Sequence, residues 1–200
     1  MSAVLLTRLK ITDLTALTAL EAGQRMLPEG YALDRIVREE VYLFEAVPGA
    51  GAGAFEARLL EAIESSNFFV NPNKERYRFL ASGERGERWS PPEGAWGLLA
   101  RTRGDTRDQG LLARLGREHP LPGLAAIRRG RVWWLWSRGP SGDPATKFVH
   151  ERLGPLVGPA HGLLVNPHAD ASLLLEGATA WSDVERFLAE PAATAAGAAA

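Results

Sequence analysis

Four histidines, His119, His150, His161 and His168, are the residues of this chain most able to hold a metal or move a proton, and all lie in its second half. His161 and His168 stand seven apart across a Val-Asn-Pro turn with Asp170 as a third donor, a spacing that matches no established ligand pattern. They are expected at the surface or at helix ends. Glu39 with Glu40, and Glu61 with Glu64, are the carboxylate pairs that general acid–base chemistry would need. The first pair falls on opposite faces of a strand and the second on a solvated helix face. The chain has no cysteine, so disulfides, thiolate nucleophiles and Cys-built zinc sites are excluded together. "GAGAG" at 49–53 opens a helix and has the form of an anion cradle, yet it lacks the lysine and spacing of a P-loop and reads as a flexible loop. No nucleophile elbow or dinucleotide fingerprint occurs. The expectation is a protein without a catalytic site, metal or cofactor of its own.

A charge asymmetry supplies a different chemistry. Arginines 101, 103, 107, 114, 117, 128, 129, 131 and 138 face only Asp105, Asp108 and Glu118, a local excess of six positive charges. Arginines beside exposed aromatics on a sheet bind RNA by stacking bases and pairing phosphates. Arg128, Arg129, Arg131 and Trp133 are the candidate contacts. The aromatic and glycine signature of RNA-recognition sheets is missing, and a chain with twenty arginines and three lysines uses arginine throughout. Solvated or partner-facing arginines are the first reading, RNA contacts the second.

These residues must be positioned by elements that the chain writes twice. "NFFVNPNKERYRFL" at 67–80 and "GLLVNPHADASLLL" at 162–175 share apolar residues, Val-Asn-Pro, a polar turn and a strand-like tail. Asn71, Pro72, Asn166 and Pro167 mark the repeated turn. Val70 to Val165 is 95 residues and Leu5 to Leu98 is 93, so both ends of the unit keep nearly one offset. In the first half, "VLLTRLKI" (4–11) alternates as a strand, with Ile11 on the apolar side. Thr12 or Asp13 caps a helix carrying Leu14, Leu17 and Leu20 that ends by Pro28 and Gly30. "RIVREEVYLFEA" (35–46) is a strand or a bent hairpin arm. Phe55, Leu59, Ala62 and Ile63 recur at helical spacing, and "RYRFLA" closes as a strand with Tyr77 and Phe79 opposite Arg76 and Arg78.

The second half follows the same order: strand "WGLLART", a helix over 105–118, and "AAIRRGRVWWLWSR" as one long strand or a pair turning near Gly130. A helix entered at Asp143-Pro144 and a closing strand complete it. "SGERGERWSPPEGA" at 82–95 reads as a linker. The pattern predicts an α+β chain of two tandem ferredoxin-like (βαββαβ-type) repeats with antiparallel sheets, over 1–82 and 96–180, joined by 83–95. Beyond them lies a helix at 181–190, in which Ser182 and Glu185 form a capping box, and a disordered Ala-rich tail at 191–200.

Two hundred residues, 46% hydrophobic and 24% charged, suit one medium or two small soluble domains, and a net charge of −1 gives no global pull toward nucleic acid or membrane. No apolar run is long enough to span a bilayer, and Arg8, Lys10 and Asp13 interrupt the N-terminus, so a cytoplasmic location is expected.

"LDRIVREEVYLFEA" and "LLEAIESSNFFVNPNKERYRFL", with "EAGQRML" at the first helix, resemble the small PurS-type subunit of phosphoribosylformylglycinamidine synthase over residues 4–80, and more faintly over 97–176. The resemblance implies a noncatalytic, dimerising module that bridges synthetase and glutaminase subunits in purine biosynthesis. A fused pair would then mimic that dimer within one chain. Protein partners are the first expectation, RNA the second, and a small-ligand sensor at the cleft between repeats the third.

Overall fold

The computed structural model describes residues 1–26, 33–103, 107–137, 163–166, 168–175 and 177–190. The elements run β1 (Ser2–Leu9), α1 (Leu14–Met26), β2 (Leu33–Ala46), α2 (Ala52–Ser65), β3 (Glu75–Leu80), β4 (Arg88–Trp89), β5 (Trp96–Thr102), α3 (Arg107–Glu118), β6 (Leu124–Ser137), β7 (Asp170–Leu175), β8 (Thr179–Ala180) and α4 (Trp181–Ala189). Six strands form one antiparallel sheet in the order β3-β1-β2-β6-β5-β7, while β4 and β8 pair separately. This is an α+β architecture compatible with ferredoxin-like folds. The segments expected around Pro28 and Gly30, at Asp143–Val157 and over 191–200, together with His150, His161, Arg138 and Pro167, lie outside the described residues.

The expected pair of sheets is a single one, because β2 and β6 run side by side from Leu33↔Ser137 to Ala46↔Leu124. Neither breaks into a hairpin. Where the βαββαβ order needs two short strands, each of these elements is a strand of 14 residues. Gly130 does not turn the chain, since it lies opposite Val41 in the ladder, and a Cβ there would sit 2.7 Å from Leu188 Cδ2 and 3.2 Å from the Ala100 carbonyl oxygen. The glycine is a close-approach position for α4.

Strand alternation sends Ala3, Leu5, Tyr42 and Phe44 to one face, where they pack with Phe55, Leu59 and Ile63 of α2, Leu115 of α3 and Phe69. Farther along that face Ala16 and Ala19 of α1 meet Ile36, Leu98, Trp133 and Leu135. Asp13 is the cap that starts α1: its Oδ1 accepts the N–H groups of Thr15 (3.0 Å) and Ala16 (3.2 Å). β1 ends at Leu9, which leaves Ile11, expected on the buried side, 63% exposed.

The opposite face is covered by α4 and by the Gly- and Pro-rich 83–95 segment. Trp89, in that segment, is 4% exposed, stacks on Trp181 at 4.9 Å and meets Trp134 edge-on at 5.4 Å. Burial of such rings contributes on the order of 2–3 kcal/mol each. Gly97 leaves the room Trp134 needs, since a Cβ there would lie 2.5 Å from its ring. The expected capping box of α4 is not made: the helix starts two residues earlier, with Ala180 in place of Ser182 as its uncapped N-cap, and Glu185 instead accepts from Ser2 Oγ and pairs with Arg85.

Replacing Gly130 by valine is expected to lower stability by about 1–3 kcal/mol through overpacking beneath α4. Urea unfolding followed by tryptophan fluorescence measures it. An unchanged midpoint would mean that α4 does not seat on this position.

Candidate functional site

The two Val-Asn-Pro turns have the same hydrogen bonds. Asn71 Oδ1 accepts the Asn73 N–H (3.1 Å), its carbonyl accepts the N–H groups of Lys74 and Glu75, and its own N–H donates to Glu75 Oε2 (2.7 Å). Asn166 does likewise with His168, Ala169 and Asp170, its N–H donating to Asp170 Oδ2 at 3.1 Å. The strand beside each turn is tied to it in the same way, Lys10 N–H to the Lys74 carbonyl and Arg103 N–H to the Ala169 carbonyl, both 2.7 Å. Asn71, Pro72 and Asn166 therefore build turns, with Lys10 Nζ donating to the Pro72 carbonyl. Among the described residues no three His, Asp or Glu side chains gather as a metal-ligand set.

The second-half arginines are divided between faces. Arg128 pairs with Glu45 at 3.3 Å on one side of the sheet. Arg129 and Arg131 point to the helix side, where Arg129 lies against Asp108 and Arg131 Nε meets Glu40 Oε1 at 2.8 Å. Trp133 is 3% exposed beneath α1, so its ring offers no surface to a base. The four residues do not form one surface.

A concavity lies elsewhere, on the face opposite the helices, at the end of the sheet that α4 leaves open. It encloses about 530 Å³ and spans both sides of the β2–β6 seam. Arg8, Arg35, Arg76, Arg78 and Glu39 supply its charge, Trp134, Trp136, Pro91 and Pro92 its apolar wall. The β1–β3 register places Arg8 directly opposite Arg76. Glu39 is the lone carboxylate in this lining. It accepts from Trp134 Nε1 at 2.8 Å and stands 3.9 Å from Arg8. Arg35 stacks on Trp136 with its guanidinium 3.8 Å from the ring centre. Alternation alone puts Arg76 and Arg78 on one face of β3, but that Arg8 joins them depends on strand register, which the sequence does not display.

No protein-family model, curated protein or solved structure matches the chain. Among the described residues no helix is long and apolar enough to cross a membrane.

Two tyrosine hydroxyls are shifted upward. Burial pushes the Tyr42 hydroxyl above its ordinary 10.0, against the opposing pull of Arg129, and the bond that Tyr77 donates to Glu64 (2.6 Å) raises the Tyr77 hydroxyl in turn. A raised phenol contributes stability that is present below the unfolded value and lost as pH rises through the folded one. Stability is expected to fall above about pH 10, and less steeply in Tyr42→Phe. Thermal melts across that range check it; equal slopes would remove Tyr42 as a cause. Asn71→Ala and Asn166→Ala are each expected to cost about 1 kcal/mol by urea unfolding, and a neutral result at either would deny the turn its role.

Proposed function

We propose that the protein is a noncatalytic assembly module, made by tandem duplication of a ferredoxin-like unit and working by bridging protein partners. The observation that supports this reading is the β2–β6 seam, which joins β3-β1-β2 to β6-β5-β7 in one sheet, an order that two copies of one unit paired as in a dimer would give. Starting from Leu5 and Leu98, the registers carry Tyr42 onto Trp133 and Phe79 onto Leu174. The same offset carries Glu40 onto Arg131, and these two pair with each other. The pseudo-two-fold axis thus passes between them. In a symmetric pair the residue on the axis meets its own copy, with like charges opposed; here the fused chain has one of each sign.

The PurS resemblance supplies the concrete version, a dimer mimic that joins synthetase and glutaminase subunits in the cytoplasm. A partner surface is supported by Ile11, Leu14 and Leu17, which are 63%, 71% and 41% exposed around the start of α1. Contiguous exposed apolar residues of this kind mark contact surfaces.

The test is light scattering on a sizing column, with the protein alone and mixed with PurS-complex synthetase and glutaminase subunits. A complex of defined mass is expected, abolished by Leu14→Asp with Leu17→Asp while the melting temperature holds. Absence of any complex overturns the bridging role. Comigration with single-stranded RNA at moderate salt would instead favour the arginine-based alternative.

A further inference from the structure

The duplication makes two surfaces on the open side of the sheet equivalent, and they have diverged. One is filled by the chain's own α4: Leu188 packs over Gly130 in the cluster that holds Leu99, while Arg101 lies under Phe187 at 5.3 Å and 3.5 Å from Glu190. The registers carry Leu99 onto Leu6, Arg101 onto Arg8 and Gly130 onto Glu39, which line the 530 Å³ concavity. At three further positions Ala126, Ala171 and Leu173 correspond to Arg35, Arg76 and Arg78. A helix cannot seat there as α4 does, because a glutamate side chain occupies the place of the glycine that lets Leu188 approach. What replaced the apolar contacts is positive charge.

That charge is poorly compensated. Arg8 and Arg76 are directly opposed across β1 and β3, an arrangement of like charges that destabilises a sheet. Arg78 follows two residues on the same face, about 7 Å along the strand. Among the described residues Arg35, Arg76 and Arg78 have no ion-pair partner, and Glu39 is already engaged by Trp134 Nε1 and Arg8. Guanidinium groups present paired N–H donors that match a tetrahedral oxyanion, and converging arginines are the usual cradle for a phosphoryl group. We propose that the Arg8–Arg35–Arg76–Arg78 concavity is a binding site for a small ligand bearing a phosphoryl or pyrophosphoryl group. The ligand's anionic end would lie among Arg8, Arg76 and Arg78 and its remainder against Pro91, Pro92 and Trp136. The comparison with the α4 surface rests on the duplication; the arginine cluster does not.

The experiment uses the full chain and inorganic pyrophosphate, with sulfate and citrate at equal ionic strength as controls. Pyrophosphate is expected to raise the melting temperature with the logarithm of its concentration, by roughly 5–10 °C at a hundredfold excess over its Kd. Arg76→Ala with Arg78→Ala is expected to weaken binding at least about tenfold by titration calorimetry. The same variant is expected to melt above the wild type in the absence of ligand, because a like-charge contact is gone. Arg114→Ala with Arg117→Ala, on the exposed side of α3, should leave pyrophosphate binding unchanged. The proposal is overturned if pyrophosphate does no more than sulfate, if the Arg76/Arg78 variant binds as the wild type does, or if that variant melts lower without ligand. It is also overturned if RNA binds through these arginines while pyrophosphate does not. Loss of bridging with anion binding intact would remove the assembly reading and leave this site standing.

Discussion

Two strands of 14 residues, each otherwise the bare edge of a three-stranded sheet, satisfy one another along the middle of this protein. An uncovered edge of that length presents a row of unpaired N–H and C=O groups and invites aggregation. Pairing β2 with β6 closes both edges at once and leaves the shorter strands β3 and β7 as the outer strands of this sheet. The seam also determines which side chains meet. It aligns Tyr42, Phe44 and Ile127 under the helices, and it brings Val41, Val132 and Trp134 together beneath Trp89 and α4. Removal of the seam would separate the cores rather than weaken one of them.

The two faces of the sheet are used differently. The helices α1, α2 and α3 bury one face along its length. The other is divided along the strands: α4 and the Trp89–Trp181 stack take one part, and the arginine-lined concavity takes the rest. The division follows from single residues. Gly130 admits a helix where Glu39 does not, and Ala171 and Leu173 offer apolar contact where Arg76 and Arg78 offer charge. One face of a sheet can thus carry a packed helix at one end and an open, charged concavity at the other.

Much of this was visible in the sequence, for reasons that can be named. The Val-Asn-Pro turns were legible because an asparagine that accepts from the N–H two residues on, followed by a carboxylate four residues away, defines a turn locally. Helical spacing of Phe55, Leu59 and Ile63 gave α2 and its buried face. What stayed hidden was non-local. A Trp in "ERWSPPEG" reads as linker until β8 and α4 are placed over it. The cap of α4 could not be foreseen because Glu185 turns to Ser2 and Arg85, both far away in the chain. The concavity was invisible for the same reason: Arg8 and Arg76 become neighbours only through the β1–β3 register. The arginine excess of 101–138 points elsewhere, to Arg101, Arg128, Arg129 and Arg131, which the sheet pairs with Glu190, Glu45, Asp108 and Glu40.

Native-state hydrogen exchange along β2 and β6 tests the central claim, that the two halves form one cooperative sheet. The amides of Val41, Leu43, Val132 and Trp134 should exchange only through global unfolding, with one common free energy equal to that from denaturant melts. Two distinct free energies, one for each half of the seam, would show that the halves open independently and would contradict the account.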